Sequence, residues 1–299
     1  IFIDMKYGFD EWRGYSASQW RNDLTWRIYD YIHKIVRATH STARKIIKLF
    51  DIQEKLNLKA ILDRVYIIHL PDRVDRFKKI KSRLSKVKLT TNQTLFDYVE
   101  FVDGVYGSTI PEEGNDILYS DYSFANHWNV DPTPKWNLLP GKEDLMLQLS
   151  EAERGVTQAH HNVWKQFLET GEQSALILED DIELAVGFNK KLEKVFKEAP
   201  EDWDLIYLSS LPCETGFTWE EHSENLVRVY NGVWWLSGYA ISRRFAKRLL
   251  GSGKIDGPVD LWINYMFDGA NVFLTPTSLI DQADDTASGN SYSYANSFY

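Results

Sequence analysis

The chain is predicted to be an α/β protein: a single mixed, mostly parallel sheet flanked by helices, preceded by a helical extension. Three observations predict it. From Asp63 onward, short apolar runs alternate with stretches of helical period, the pattern of a sheet covered by helices on both faces. The run Ala175-Leu176-Ile177-Leu178 reads as a buried strand of a parallel sheet, and it ends in three consecutive carboxylates, Glu179-Asp180-Asp181. With 299 residues, 43% of them hydrophobic and 14% aromatic, the chain has enough apolar surface for a large core.

Taken in order, residues 1–62 read as the extension and residues 63–299 as the sheet-bearing domain, closed by a flexible C-terminal tail. Between Trp20 and Phe50, Leu24, Ile28, Ile32, Ile35, Ile46, Ile47 and Phe50 recur at helical spacing opposite Arg21, Arg27, Lys34, Arg37, Arg44, Lys45 and Lys48. Such a basic amphipathic helix, or helix pair, suits an anionic membrane surface. Its apolar face suits equally the catalytic body or a second copy of itself, so residues 20–50 are a candidate for peripheral membrane association or homodimer formation. Val65-Tyr66-Ile67-Ile68 predicts a strand, Val74 to Lys86 a helix, Tyr98 to Val102 a strand and Glu151 to Leu168 a long helix. After the Leu176 strand come a helix near Asn189–Lys197, a strand at Leu205-Ile206-Tyr207-Leu208 and a helix from Ser242 to Leu250. Residues 104–145, dense in Gly, Pro, Asn and Asp, are too long for an ordinary connection and are expected to cover the site or meet the acceptor. The tail from Asp281 to Tyr299 has no Lys or Arg and is expected to be disordered or a lid.

Charge and composition narrow the class. A net charge of −9 argues against a nucleic-acid partner. The charge is uneven: residues 1–60 hold 11 Lys and Arg against 7 Asp and Glu, whereas the remainder holds 23 against 36. The single cysteine, Cys213, excludes an intrachain disulfide. No apolar run reaches the roughly 18 residues of a membrane span. The start at Ile1 without Met, and the sequon Asn92-Gln93-Thr94, fit a Golgi or ER lumenal enzyme whose upstream anchor has been removed. A cytoplasmic, membrane-associated location is the alternative.

Ligands of open α/β sheets collect beyond the carboxyl ends of the strands, where Glu179-Asp180-Asp181 would lie. Three adjacent carboxylates repel one another unless they face water or a cation, and hard oxygen ligands suit Mg²⁺ or Mn²⁺. A solvated acidic turn is the plain alternative. Four further segments add to the triplet. His69-Leu70-Pro71-Asp72-Arg73-Val74-Asp75-Arg76 puts two arginines after the first strand, where guanidinium groups suit phosphate. Ser150 and Glu153 form a capping box. Glu153, Thr157, His160 or His161, and Trp164 share one face of the helix that follows. Phe101-Val102-Asp103-Gly104 ends a strand in an Asp-Gly turn. Pro258-Val259-Asp260 opens an apolar helix through Leu261, Trp262, Ile263 and Tyr265, where Asp260 has a simple capping role as its structural alternative.

These pieces, in this order, resemble glycosyltransferase family 25, which includes bacterial lipopolysaccharide galactosyltransferases and collagen hydroxylysine galactosyltransferases. The resemblance runs over roughly residues 64–282. It rests on Val65 to Leu70 with Arg73 and Arg76; Val102-Asp103-Gly104; Leu149-Ser150 with Glu153, Gly155, His160 and Trp164; Ala175 to Asp181; Trp203 to Leu208; Gly238 to Ser242 with Ala246 and Leu249; and Pro258-Val259-Asp260. It implies a GT-A-like fold, a nucleotide-sugar donor, most often UDP-galactose, a divalent cation (Mn²⁺ or Mg²⁺) held by the acidic motif, and inversion at the anomeric carbon. The acceptor would be a hydroxyl of a lipid-linked glycan, a glycoprotein glycan or a hydroxylated protein. His69-Leu70 stands where the family usually has Asn-Leu, and Ala159-His160 where it has Ser-His, which bears on donor identity.

On this reading Asp181 is the first-choice metal ligand, with Asp180 beside it. Glu179 and Asp180 reach the metal through water or contact the donor, Arg73 and Arg76 hold nucleotide or phosphate, Asp103 sits near base and ribose, and His160 lies at the donor side. The base that takes the acceptor proton is Asp260, with Glu153 as competitor. Trp234, Trp235 and Trp262 are candidates for stacking on sugars, with core packing as the ordinary alternative. A late metal ligand would have to come from Gln282, Asp284 or Asp285. Two rivals are a non-catalytic glycan-binding protein on the same scaffold and a sugar-phosphate nucleotidyltransferase. The second would normally carry a glycine-rich phosphate loop, and His69–Arg76 has no glycine.

Overall fold

A computed structural model describes residues 55–123, 146–212 and 217–283. All of them belong to one compact unit. The amphipathic segment at residues 20–50, with its membrane and dimer roles, therefore lies outside the described residues, as do residues 124–145, Cys213, Asp284 and Asp285. The end of the predicted extension is described: Leu56, Leu58 and Leu62 are buried in the core of the sheet-bearing body.

The strands are β1 (Arg64–His69), β2 (Glu100–Asp103), β3 (Asp121–Ser123), β4 (Met146–Gln148), β5 (Ser174–Glu179), β6 (Ile182–Leu184) and β7 (Leu205–Tyr207). They continue with β8 (Leu211–Pro212), β9 (Thr218–Glu221), β10 (Val227–Asn231), β11 (Val233–Trp234), β12 (Gly238–Ser242), β13 (Val272–Leu274) and β14 (Ile280–Gln282). The helices are α1 (Val74–Leu84), α2 (Glu151–Thr170), α3 (Phe188–Glu198), α4 (Arg243–Gly251) and the single turn α5 (Val259–Trp262), which passes into a 3₁₀ turn at Ile263–Met266.

Eight strands form the central sheet in the order β2-β1-β5-β12-β7-β13-β10-β9. β1 runs parallel to β2 and β5, and β7 parallel to β13. β12 runs antiparallel to both β5 and β7, and β10 antiparallel to both β13 and β9. Six of the eight strands thus share a direction, giving the mixed, mostly parallel sheet that was predicted, consistent with a GT-A-like fold. The four central residues of β5, Ala175 to Leu178, are buried, because a strand flanked by β1 and β12 and covered on both faces must be apolar throughout.

The predicted elements appear with small shifts. α1 ends two residues early, at Leu84. Tyr98 belongs to the end of a 3₁₀ turn, and the strand begins at Glu100. The apolar helix expected after Pro258 is only four residues long before it tightens to 3₁₀. α2 begins with the predicted capping box: Ser150 Oγ accepts from Glu153 N–H (3.2 Å), and Glu153 Oε2 accepts from Ser150 N–H (2.8 Å). It stops at Gly171, whose φ of 82° is the left-handed C-cap conformation. The reversed strand β12 was not foreseen. It brings the chain to the sheet's carboxyl edge at Ser237, whose carbonyl accepts from Glu179 N–H (2.9 Å).

Candidate active site

β1 and β5 end side by side, pairing Ile68 with Glu179, so His69 and the acidic triplet emerge together. β6 follows at once and pairs with β14, and Ala283 N–H donates to the Asp181 carbonyl (2.7 Å). A cleft of about 310 Å³ opens at this edge between the start of α1, the Gly104–Ser108 loop and the first turns of α2, with Arg73, Arg76, Glu179, Asp180 and Asp181 among its walls. A smaller pocket of about 50 Å³ shares Glu179 and Val156 with it and is lined further by Glu153, Trp235, Ser237, Asp260 and Gln282. The loop can approach α2 because both elements offer glycine. A Cβ at Gly155 would lie 2.3 Å from the Val105 carbonyl oxygen, and one at Gly107 would lie 1.6 Å from that of Glu151.

The three acids are held differently. Asp180 is 4% exposed and spends both oxygens internally: Oδ2 lies 2.7 Å from His69 Nδ1, and Oδ1 accepts from Arg76 Nη1 at 2.9 Å. Arg76 Nη1 also lies 3.3 Å from Asp181 Oδ2, while Asp181 Oδ1 is buried with no hydrogen-bond partner. Burial, reinforced by the charges of Glu179 and Asp180 against the opposing pull of Arg76, raises the Asp181 carboxyl to about 7. Glu179 moves the other way. Burial alone would raise it, but His160, the Ser237 hydroxyl and Arg76 together hold it below the ordinary carboxylate range.

The polar stripe predicted on α2 is buried at Glu153, Thr157, His160 and Trp164, and of the two histidines His160 is the one it contains. Tyr239 on β12 orients it. Tyr239 OH accepts from Trp164 Nε1 (2.8 Å) and shares a hydrogen bond with His160 Nδ1 (2.9 Å), which leaves His160 Nε2 facing Glu179 Oε1 at 3.7 Å. The aromatic anchor Tyr239 had no signal in its spacing beyond an apolar run.

Asp260 and Glu153 meet in the smaller pocket. Burial and the Glu153 charge raise Asp260 to about 6, opposed by N–H groups of Trp235, Asp260 and Leu261. Trp235 turns its N–H this way through a backbone φ of 72°, rare for a bulky residue and a conformation that concentrates at functional sites. Of the three tryptophans proposed for stacking, Trp235 lines the pocket. Trp262 instead stacks on Trp164 in the core, with ring centroids 6.4 Å apart. Arg73 reaches the large cleft, but both of its bonds go to Asp75 on its own helix at 3.0 Å. Asp103 is exposed at the end of β2, paired in register with His69, and Gly104 rather than Asp103 lines the cleft. Gln282 lines the Asp260 pocket on the strand that pairs with β6.

The donor set fits a hard divalent cation only in a particular way. Among the described residues no three His, Cys, Asp or Glu side chains converge as a cage. Asp181 offers one buried, unpartnered oxygen whose negative charge its neighbours disfavour. That suits a cation bound by one or two carboxylates, with water and phosphate completing its shell.

Residues 62–263 match the model of glycosyltransferase family 25, described as an LPS biosynthesis protein family. Procollagen galactosyltransferase 1-A of Xenopus laevis is 29% identical over 229 residues, covering 73% of this chain and 33% of that protein. Procollagen galactosyltransferase 1 of Danio rerio is 30% identical over 143 residues, covering 44% and 23%. The inactive glycosyltransferase 25 family member 3 of Mus musculus is 26% identical over 215 residues, covering 69% and 32%. The chain spans about a third of the length of the first of these relatives. With the family model matched over more than half of its length, the chain belongs to glycosyltransferase family 25.

Proposed function

We propose that this chain is a metal-dependent inverting glycosyltransferase that moves a hexose, most simply galactose, from a UDP-sugar to a hydroxyl of a glycan or hydroxylated protein acceptor. The observation that carries this reading is the pair of neighbouring pockets, sharing Glu179 and Val156, at the carboxyl edge of the sheet: one sets Arg73 and Arg76 around an acidic triplet, and the other holds a carboxyl of raised proton affinity. The galactosyltransferase names of the relatives support the same reading.

The donor diphosphate fits the larger pocket, with Arg76 balancing the acids and Arg73 at the rim. A divalent cation at Asp181 would supply electrostatic stabilisation of the leaving diphosphate. His160, fixed by Tyr239, sets the position of Glu179 against the donor sugar. Asp260 takes the proton of the acceptor hydroxyl as that oxygen bonds to the anomeric carbon and the carbon–phosphate-oxygen bond breaks. Attack opposite the leaving group inverts the centre. A base serves best with its proton affinity near the working pH, and Asp260 is moved in that direction by burial and Glu153.

Nucleotide release from UDP-, GDP- and CMP-sugars with Mn²⁺ tests the reading. Release from UDP-galactose, lost in Asp181→Asn, is the expected result. Silence across the panel would instead favour glycan binding without transfer; the mouse relative is itself named as inactive.

A further inference from the structure

A cavity of about 420 Å³ lies away from the transfer cleft. It sits at the opposite end of the sheet. Ala270, which lines it, immediately precedes β13, and β10 passes its last register pair with β13, Val229↔Val272, before reaching the lining residue Asn231. β13 runs in the same direction as β5, so the cavity opens at the amino ends of the strands whose carboxyl ends carry the acids. Asn264 lines this cavity and also bonds the Asp260 main chain. Its side chain is fully used, accepting from Gly232 and Val233 N–H and donating to the carbonyls of Val233, Asp260 and Leu261, so it is wall rather than ligand.

We propose that this cavity is a second, non-catalytic sugar pocket that takes a neutral hexose ring of a glycan. Two half-open phenol rings border it, Tyr230 (45% exposed) and Tyr265 (38%). Tyr230 is set in place before any ligand arrives: its hydroxyl donates to Glu220, and the Arg228 guanidinium lies 5.3 Å from its ring centroid. A fixed aromatic face costs little ordering when an apolar ring face settles on it. The polar lining supplies both kinds of hydrogen bond that hydroxyls need. Arg228 contributes a half-buried guanidinium, Asn231 an amide and Asp268 an exposed carboxylate. An anion would meet Asp268, and a wholly apolar guest would take water from the Asp268 carboxylate and the Asn231 amide without replacing its hydrogen bonds. A neutral polyol satisfies both, and the volume falls within the roughly 300–1,000 Å³ of small-ligand pockets.

Saturation-transfer NMR with lactose and maltose, in the absence of any nucleotide sugar, tests this. The wild-type chain and Asp260→Asn should give equal, saturable ring-proton signals. Tyr230→Ala and Asp268→Ala should each lower them at least fivefold at unchanged melting temperature, whereas Tyr230→Phe, which keeps the ring against Arg228 but loses the Glu220 bond that helps fix it, should lower them by less than either. The proposal fails if neither disaccharide gives a saturable signal, if the signals survive both alanine variants, if Asp260→Asn removes them, or if inorganic phosphate displaces the sugar. Sugar binding that persists in a chain with no turnover of any nucleotide sugar would refute the transferase reading and leave the pocket standing.

Discussion

Asp180→Ala should destabilise the chain by about 3–4 kcal/mol, far more than any change at Asp181. Both Asp180 oxygens are bonded, at 2.7 Å to His69 and 2.9 Å to Arg76, in a residue that is 4% exposed. Removing one partner of a buried ion pair costs about 3–5 kcal/mol, because the remaining charge has neither water nor a counterion. The expected cost lies at the lower end because Arg76 keeps Asp181 at 3.3 Å. At roughly 2–4 °C per kcal/mol for a body of this size, the melting temperature should fall by about 10 °C. Asp181→Asn should behave oppositely in the metal-free chain. A carboxyl raised from 3.8 to about 7 keeps its proton in the folded state after the unfolded chain has lost its own. The contribution of Asp181 to stability therefore falls as pH rises from about 4 to about 7, and the Asn variant should remove that share of the pH dependence. Calorimetry across this pH range, with and without Mn²⁺, makes the comparison. A thermally intact Asp180→Ala that has lost only its response to Mn²⁺ would refute the scaffold role and make Asp180 a ligand.

Three further outcomes are expected. The kcat/KM of transfer should lose an acid limb near pH 6 as Asp260 protonates, and Glu153→Gln should move that limb to lower pH by removing a like charge; an unmoved limb would take the base away from Asp260. Gly155→Ala forces a Cβ against the Val105 carbonyl and should cost about 1–3 kcal/mol in urea denaturation while weakening UDP binding, because the displaced loop lines the donor cleft. Tyr239→Phe leaves the buried Trp164 N–H without its acceptor and should cost about 1–3 kcal/mol, read as a lower urea midpoint at constant slope.

Residues that act through local sequence were legible before the fold was known. The uninterrupted run at Ala175 marked β5, the spacing of Ser150 and Glu153 marked the start of α2, and one helix face placed Glu153, Thr157, His160 and Trp164 together. What escaped depends on distant partners. Asp180 turns inward because of His69, 111 positions away, and no local pattern encodes that pair. The direction of β12 is equally silent, since Gly238 to Ser242 is as apolar as a strand of either sense. The two-residue strands β8 and β11 are shorter than any period can reveal, and the left-handed backbone of Trp235 contradicts the preference of its own residue type.

The β6–β14 pairing also sets how easily the acidic triplet can be re-exposed in the folded chain. Ile182 meets Gln282 a hundred positions along the chain, and Ile280 closes onto Gly238, where a Cβ would stand 2.6 Å from the Ile280 side chain. The pairing is only three residues long, and Ala283 N–H continues it by donating to the Asp181 carbonyl. Local opening of so short a pair would return water to Asp181 while the longer β1–β5 pairing keeps His69 beside Asp180. The desolvation that raises the Asp181 carboxyl is therefore held by a small, separable piece of the fold rather than by the sheet as a whole.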